Sequence, residues 1–437
     1  MGETARPLWS RAFATYWGAT SVSNLGSGVT LVALPVLAAR QLGAGAAQLG
    51  FLRALEAAPY VPLALAVGQL VDRSRPLVLM VLADTARACL LTATVALTAT
   101  SLLGLPALYL VVFAVGTFTV LYDVAQFTVM PALVDRPRLV EANAAVELAR
   151  GAAFTLGPGL GGILIAALRA GPALLADVLS YVYSAVSLST LRGRTNRWYR
   201  EHQGYQERAH AGPRPSGRMI DGARFVLSHP ELRAMTAYLG VNNVCNQAFL
   251  TGLIAYLEVD QRRPSAQVGL AFGGYGAGFL LAAVLAPALG RRWGTAANVT
   301  ASSLLSAAGA GAPAVSALAP PQAWAALAAI VAGAFLVGFA APIFNVQSVA
   351  LRLSVTPSDR LGRVNALVKM VSQGALPLGA LAAGALFATL APAPAFGAVA
   401  AASFAATAIL VFSPVVTGPE SGRAQRPKSP ERVHGAR

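Results

Sequence analysis

Five carboxylates fall inside long apolar stretches of this chain: Glu56, Asp84, Asp123, Glu147 and Asp177. A charged group in a lipid-length segment is costly, so each must be paired or used. The use open to a carboxyl removed from water is to load and release a proton, because desolvation favours its neutral form. Glu56 leads, since it lies well inside its stretch and its one local basic neighbour is Arg53, a helical turn away. Two roles fit it: proton carrier, or permanent partner of Arg53. Asp123 follows, and Asp177 is third, near the end of its stretch, where capping or reaching to the interface is the alternative. Asp84, Arg87, Glu147 and Arg150 lie with Asp123 in the inner half of their segments, counting about 1.5 Å per residue, and suit a paired network with Asp72 and Arg73.

The second half of the chain has a different chemistry. It has almost no buried charge except Lys369, amid Asn242, Asn243, Asn246, Gln247, Asn345, Gln347 and Gln373 and the rings of Phe249, Tyr275, Phe279, Phe335, Phe339 and Phe344. A few amides among aromatics suit a large, partly apolar ligand. The candidate cavity residues are Asn242, Asn243, Gln247, Asn345, Lys369 and Gln373, with Asn24 from the first half. Lys369 either attracts an anionic group or reaches to the membrane edge. The division reads as coupling in the first half and recognition in the second.

These groups need a helical frame in lipid. Hydrophobic residues make up 56% of the chain and charged residues 12%, with mean hydropathy +0.59; soluble proteins carry about 25% charged residues. Runs of spanning length, about 20 residues each, fall near 13–39, 48–71, 77–100, 106–133, 144–167, 171–191, 232–257, 267–289, 295–318, 322–345, 364–389 and 393–412. The fold class is therefore all-α integral membrane, with twelve transmembrane helices. The first run, flanked by Arg6 and Arg11, is too long for a cleavable signal.

A formal charge of +15 could point to nucleic acid, but its placement points to topology. With the N-terminus inside, the outer loops hold only Arg40, Arg169, Arg262 and Arg263, and most other basic residues fall in cytoplasmic segments. Both termini are expected in the cytoplasm. Cys89 and Cys245 both fall in apolar spans, without disulfide framework or metal-ligand spacing. Neither lysine, Lys369 nor Lys428, sits in a phosphate-binding loop. No catalytic triad is visible, so an enzyme is not expected.

Residues 1–191 read as a first six-helix bundle and 232–417 as a second. Between them, 192–231 is Arg-rich with Gly, Pro and His, a cytoplasmic linker whose end, with Phe225, Val226 and Leu232, suits an amphipathic helix on the membrane surface. Residues 418–437 read as a disordered cytoplasmic tail. At an offset of 222 residues Asn143-Ala144 meets Asn365-Ala366, Gly157 meets Gly379, Gly162 meets Gly384 and Gly68 meets Gly290, which suggests a duplication.

Two motifs stand out. Gly68, Asp72, Arg73 and Arg75 form a tight charged turn between the second and third spans, with a degenerate second copy at Gly290-Arg291-Arg292-Trp293-Gly294. Gly157-Pro158-Gly159-Leu160-Gly161-Gly162 puts four glycines in six positions of the fifth span, which permits close helix packing in a membrane. The first resembles the gate loop of the major facilitator superfamily, shortened before its basic pair. The second resembles that superfamily's antiporter signature, found in exporters.

Longer stretches are similar to one exporter branch, that of macrolide efflux proteins and the enterobactin exporter. They include Ala83-Asp84-Thr85-Ala86-Arg87, Met130-Pro131-Ala132-Leu133-Val134, Asp177-Val178-Leu179-Ser180-Tyr181 and Gly362-Arg363-Val364-Asn365-Ala366. The Arg-x-x-Gln-Gly pattern of the fourth helix of proton antiporters is absent; Val115-Gly116-Thr117-Phe118 and then Asp123 stand there instead. The resemblance implies two six-helix halves and secondary active export of a bulky amphipathic small molecule, macrolide-like or another secondary metabolite, by proton antiport and alternating access. A siderophore or small-metabolite exporter shares that architecture; the alternative from another class is a non-transporting membrane receptor or structural protein. No cofactor is expected, the proton gradient being the energy source. The expected partners are the substrate, protons and the lipid bilayer, without nucleic acid, and the family expectation is a monomer. Arg far outnumbers Lys, and Ala and Gly abound, as suits the cell membrane protein of a GC-rich bacterium.

Overall fold

Helix starts follow local chemistry. Ser10 caps α1 (Arg11–Gln41) by accepting the Phe13 N–H at 3.3 Å. After α2 (Ala46–Ala57), proline stands in the first turn of α3 (Pro76–Ala99) and α4 (Leu105–Val129), where its missing N–H has no helical partner to lose. Then come α5 (Leu139–Leu168), the short turn Ala170–Ala173 and α6 (Leu175–Ser189). A ten-residue helix, Met219–Ser228, precedes α7 (Pro230–Ala255), which runs on through a wider turn at Tyr256–Asp260. The helical stretch Ser265–Ser316 holds α8 and α9, divided at Gly294, and α10 (Trp324–Val355), α11 (Ser358–Thr389) and α12 (Pro392–Val411) follow. The structure, a computed structural model, describes residues 9–417 except 61, 64–66, 68–69, 72–73, 136–137, 194, 196–218 and 317–323.

This is an all-α fold of the expected type, and among the described residues nine helices are long and apolar enough to cross a bilayer. The helix holding α8 and α9, 52 residues long, is one of the nine and is long enough to cross twice. Several helices outrun the expected spans. Helix α10 continues to Val355 rather than 345, and α11 begins at Ser358 rather than 364. Hydropathy marks where lipid ends; Gln347, Ser348 and Arg352 keep the helix going beyond that level. Gly294 turns the chain with φ of 73°, a backbone region that favours glycine. Asn298 secures the turn by donating to the carbonyls of Leu289 (3.0 Å) and Gly294 (2.6 Å). Phe225 and Val226 of the ten-residue helix pack with Leu232, Met235, Val364 and Val368.

Among the described residues the largest apolar cluster spans both halves at one end of the molecule, and toward the other end the clusters belong to one half or the other. Where α1 ends and α2 begins, Val36, Leu37, Leu49 and Leu52 join Phe249, Leu253, Phe272, Ile330 and Phe396 in one cluster drawn from both halves. Toward the end where α1 begins, Phe13, Tyr16, Met80 and Tyr122 form a first-half cluster, separate from the second-half cluster of Tyr238, Phe344 and Leu410.

Candidate functional site

The halves meet along two helix pairs, each closed by glycine. In α5, a Cβ on Gly162 would lie 2.8 Å from the Ser265 carbonyl and 2.9 Å from the Gly269 Cα of α8. Two turns away, the Thr155 hydroxyl donates to the Gly276 carbonyl at 2.8 Å. In α11, a Cβ on Gly384 would lie 3.2 Å from both the Ala47 carbonyl and the Gly50 Cα of α2. The repeat partners Gly157 and Gly379 do a different job, within the halves: Gly157 lies against Gly28 of α1, and Gly379 against the Val244 carbonyl of α7. Gly161 faces Val29, and the Pro158 carbonyl faces Gly269. The fused end carries an ion pair between halves, Arg40 Nε donating to Glu258 Oε2 at 2.6 Å and Nη2 to Oε1 at 3.3 Å.

The expected charge network divides into separate groups. Arg87 donates to Asp84, and its guanidinium lies between the Tyr122 and Tyr181 rings, 4.7 and 4.2 Å from their centroids. Nearby, Asp177 sits in the first turn of α6 as expected, but it is sealed inside the bundle rather than at an interface. It accepts from Thr30 Oγ1 at 2.5 Å and Ser180 Oγ at 2.9 Å, while Ser27 and Tyr181 share a hydrogen bond of 2.9 Å. Asp123 is held by the Tyr60 hydroxyl. Glu56 accepts from Arg53 Nη1 at 2.6 Å, and Arg53 is anchored to the Leu31 carbonyl of α1. Glu147 and Arg150 stand 3.9 Å apart, and the glutamate is exposed rather than buried. Gly68, Asp72 and Arg73 lie outside the described residues; Arg75 is exposed at the start of α3.

On α7 the amides have partners already. Asn243 donates to Ser372 Oγ at 2.6 Å, Asn246 to the Tyr275 hydroxyl at 3.3 Å and Gln247 to Thr251 Oγ1 at 3.2 Å. Asn242 accepts from Tyr238 at 3.2 Å. Asn345 and Lys369 are exposed and Gln373 is half-buried. Asn24 is half-buried with its Nδ2 enclosed and unpartnered. Phe249 and Phe344 are core, packed on Phe396 and Tyr238. The Phe154 ring of α5 meets Tyr275 and Phe279 of α8 at 5.5 and 6.4 Å, so an aromatic group bridges the halves.

A family profile described as transmembrane secretion effector, within the major facilitator superfamily, matches residues 3–433. The chain belongs to this family. It is a multi-pass membrane transporter and not an enzyme. Solved structures share the fold. A bacterial homologue of the iron transporter ferroportin, in an inward-facing state, has a TM-score of 0.67 at 16% identity, over 92% of this chain and 98% of that one. The nucleoside transporter NupG has a TM-score of 0.64 at 13% identity, over 92% and 99%. A bacterial homologue of the human lysosomal transporter Spinster has 0.57 at 16% identity, over 94% and 95%. No curated protein matches the chain.

Several residues central to the transporter's geometry escaped sequence reasoning. Glu258 stands one residue past the expected seventh span and reads there as a loop acid. Thr30, Tyr60, Tyr122 and Tyr181 carry no signal of their own, because what they touch depends on helix rotation. Phe154 had one available signal: it lies four residues after Arg150, on the same helical face.

Proposed function

We propose that this transporter exports a bulky amphipathic small molecule, macrolide-like or another secondary metabolite, in exchange for protons by alternating access. The observation that carries the reading is the core fused at the Arg40 end and divided at the other. Packing of that kind has two discrete arrangements available, because the halves can part where they now meet. With both termini in the cytoplasm of a bacterial cell, the fused end faces outward and the molecule opens inward, ready to take substrate from the cytoplasm. The loop of Gly68, Asp72, Arg73 and Arg75 closes that side in the opposite state.

Protons enter through the first half, where the intramembrane carboxylates are gathered. Glu56 is the carrier with Asp123 behind it; each accepts from one side-chain donor, Arg53 and Tyr60. Asp177, fixed by two hydroxyls in a sealed pocket, is better suited to holding α1 on α6. In the outward-open state a proton loads on Glu56 and releases Arg53 from its pair as substrate leaves, and the proton-loaded carrier returns to the inward-open state, where the proton is given up.

The test is accumulation of rhodamine 6G and erythromycin in efflux-deficient cells, comparing wild type with Glu56→Gln, with and without protonophore. Lower accumulation in wild type, lost with protonophore and with the substitution, is the expected result. Unchanged accumulation of every compound in cells that express the protein well would sink the reading.

A further inference from the structure

Arg150 is underused by the protein around it. Its ion pair with Glu147 is long, 3.9 Å, and the glutamate is 57% exposed. Its Nε is enclosed without a hydrogen-bond partner, while 34% of the side chain remains accessible. The direction it faces is settled by its helix. On α5 the exposed apolar residues Leu148, Leu156, Leu160 and Ile163 mark the lipid side. At 100° per residue Arg150 projects away from that stripe on the side where Gly157 and Gly161 meet α1, and Phe154 points between that side and α8. Of the charged groups acting on it, Asp123 contributes most and Glu147 next, and Asp123 already receives the Tyr60 hydroxyl.

One turn beyond Arg150 the aromatic group begins. Phe154 meets Tyr275 and Phe279, and Gly151, between the two residues, leaves room for the Phe279 ring, whose edge would stand 3.2 Å from a Cβ there. Asn246 of α7 holds the Tyr275 hydroxyl. A guanidinium with an unpartnered Nε thus stands one helical turn from Phe154, the ring through which the first half meets Tyr275 and Phe279 of the second. Guanidinium recognises planar anions with paired hydrogen bonds, and rings recognise rings.

We propose that Arg150 and Phe154, with Tyr275 and Phe279, form a subsite for the acidic group and adjoining aromatic ring of an amphipathic organic anion. This rests on the export reading and deepens it, since it names the polar end of the cargo. The acid takes the place of Glu147 on Arg150, and the ring lies against Phe154.

The experiment measures binding to the full chain in nanodiscs by fluorescence polarisation. The probes are two dyes with the same xanthene ring system, anionic fluorescein and cationic rhodamine 6G. Wild type is expected to bind fluorescein about 10-fold more tightly, the scale of one charge-assisted hydrogen bond. Arg150→Gln removes that preference, Arg150→Lys restores part of it, and Phe154→Ala weakens both dyes. Equal binding, tighter rhodamine 6G, no binding of either dye, or an Arg150→Gln loss equal for both overturns the subsite. A role for Arg150 in folding alone gives that last result. Rhodamine 6G export without fluorescein preference would defeat the subsite and leave the export reading standing. Arg150-dependent fluorescein binding without energised transport of either dye would do the reverse.

Discussion

Arg40 and Glu258 form a two-pronged ion pair across the two halves of the transporter, at the end where their cores merge. The glutamate side chain is fully enclosed, whereas the arginine side chain is 41% exposed. Arg40 Nη2 also donates to the Arg263 carbonyl, so one residue of α1 ties down the whole turn between α7 and α8. In the proposed alternating-access cycle this end must part, so the pair would act as a latch on the closed state rather than as a constant contribution to stability.

Arg40→Ala should therefore open this end. It leaves Glu258 enclosed without its partner, costing the closed state roughly 1–3 kcal/mol. Spin labels at Leu42→Cys and Gln261→Cys, in a background lacking Cys89 and Cys245, would report a longer and broader distance. The double variant Arg40→Ala, Glu258→Gln should recover part of the shift, because no charge is then stranded. An unchanged distance distribution in Arg40→Ala would mean the pair holds nothing.

Glycine substitutions should rank by what stands opposite. Gly162→Ala drives a Cβ against the α8 backbone at 2.8 Å, and Gly50→Ala meets the Ala380 carbonyl and Gly384 Cα at 2.6 Å. Backbone on both sides cannot yield easily, so each should destabilise the closed interface by about 1–3 kcal/mol. Gly384→Ala, at 3.2 Å, should be milder, and Gly159→Ala, with open space around it, should be tolerated. Thermal unfolding of the purified protein checks the order; equal effects at Gly159 and Gly162 would contradict it.

The same glycines show how much the sequence disclosed. The 222-residue offset paired Gly157 with Gly379 and Gly162 with Gly384, and each pair does one job twice: α5 on α1 and α11 on α7 within halves, α5 on α8 and α11 on α2 between them. Hydropathy likewise revealed the helices, because lipid imposes one rule on every span. Partner choice was not legible. Whether Asp177 meets Thr30 depends on which helix packs against its face, and the hydropathy that marks a span does not name its neighbour. The Arg40–Glu258 latch joins residues 218 apart in number, and only the docking of two halves brings them together.

The buried pair Asp84–Arg87 should be the most sensitive to single changes. Arg87→Met leaves Asp84 enclosed between helices with its charge unmet, at a cost of about 3–5 kcal/mol. The double variant Asp84→Leu, Arg87→Met should unfold at a temperature nearer wild type. Asp177→Asn should be milder than Arg87→Met, since its amide oxygen still accepts from one of the Thr30 and Ser180 hydroxyls and its NH2 can donate to the other. Thermal unfolding in detergent decides; an additive double variant would show that the two residues do not act as a pair.

Glu56 offers the sharpest separation of coupling from folding. Its side chain is 36% exposed, while its partner Arg53 is 6% exposed and fastened to the Leu31 carbonyl. Glutamine at position 56 can still accept from Arg53, so Glu56→Gln should keep the unfolding temperature within a few degrees of wild type, the cost being below about 1 kcal/mol. It cannot, however, give up a proton. In proteoliposomes preloaded with rhodamine 6G the variant should still carry dye down its own gradient, but an imposed pH difference should no longer accelerate it. Arg53→Ala should behave in the opposite way, losing stability because the anchor between α1 and α2 is gone while the carboxyl remains. Retained pH-driven transport in a stable Glu56→Gln protein would remove this residue from the proton path and transfer the role to Asp123, which accepts from Tyr60.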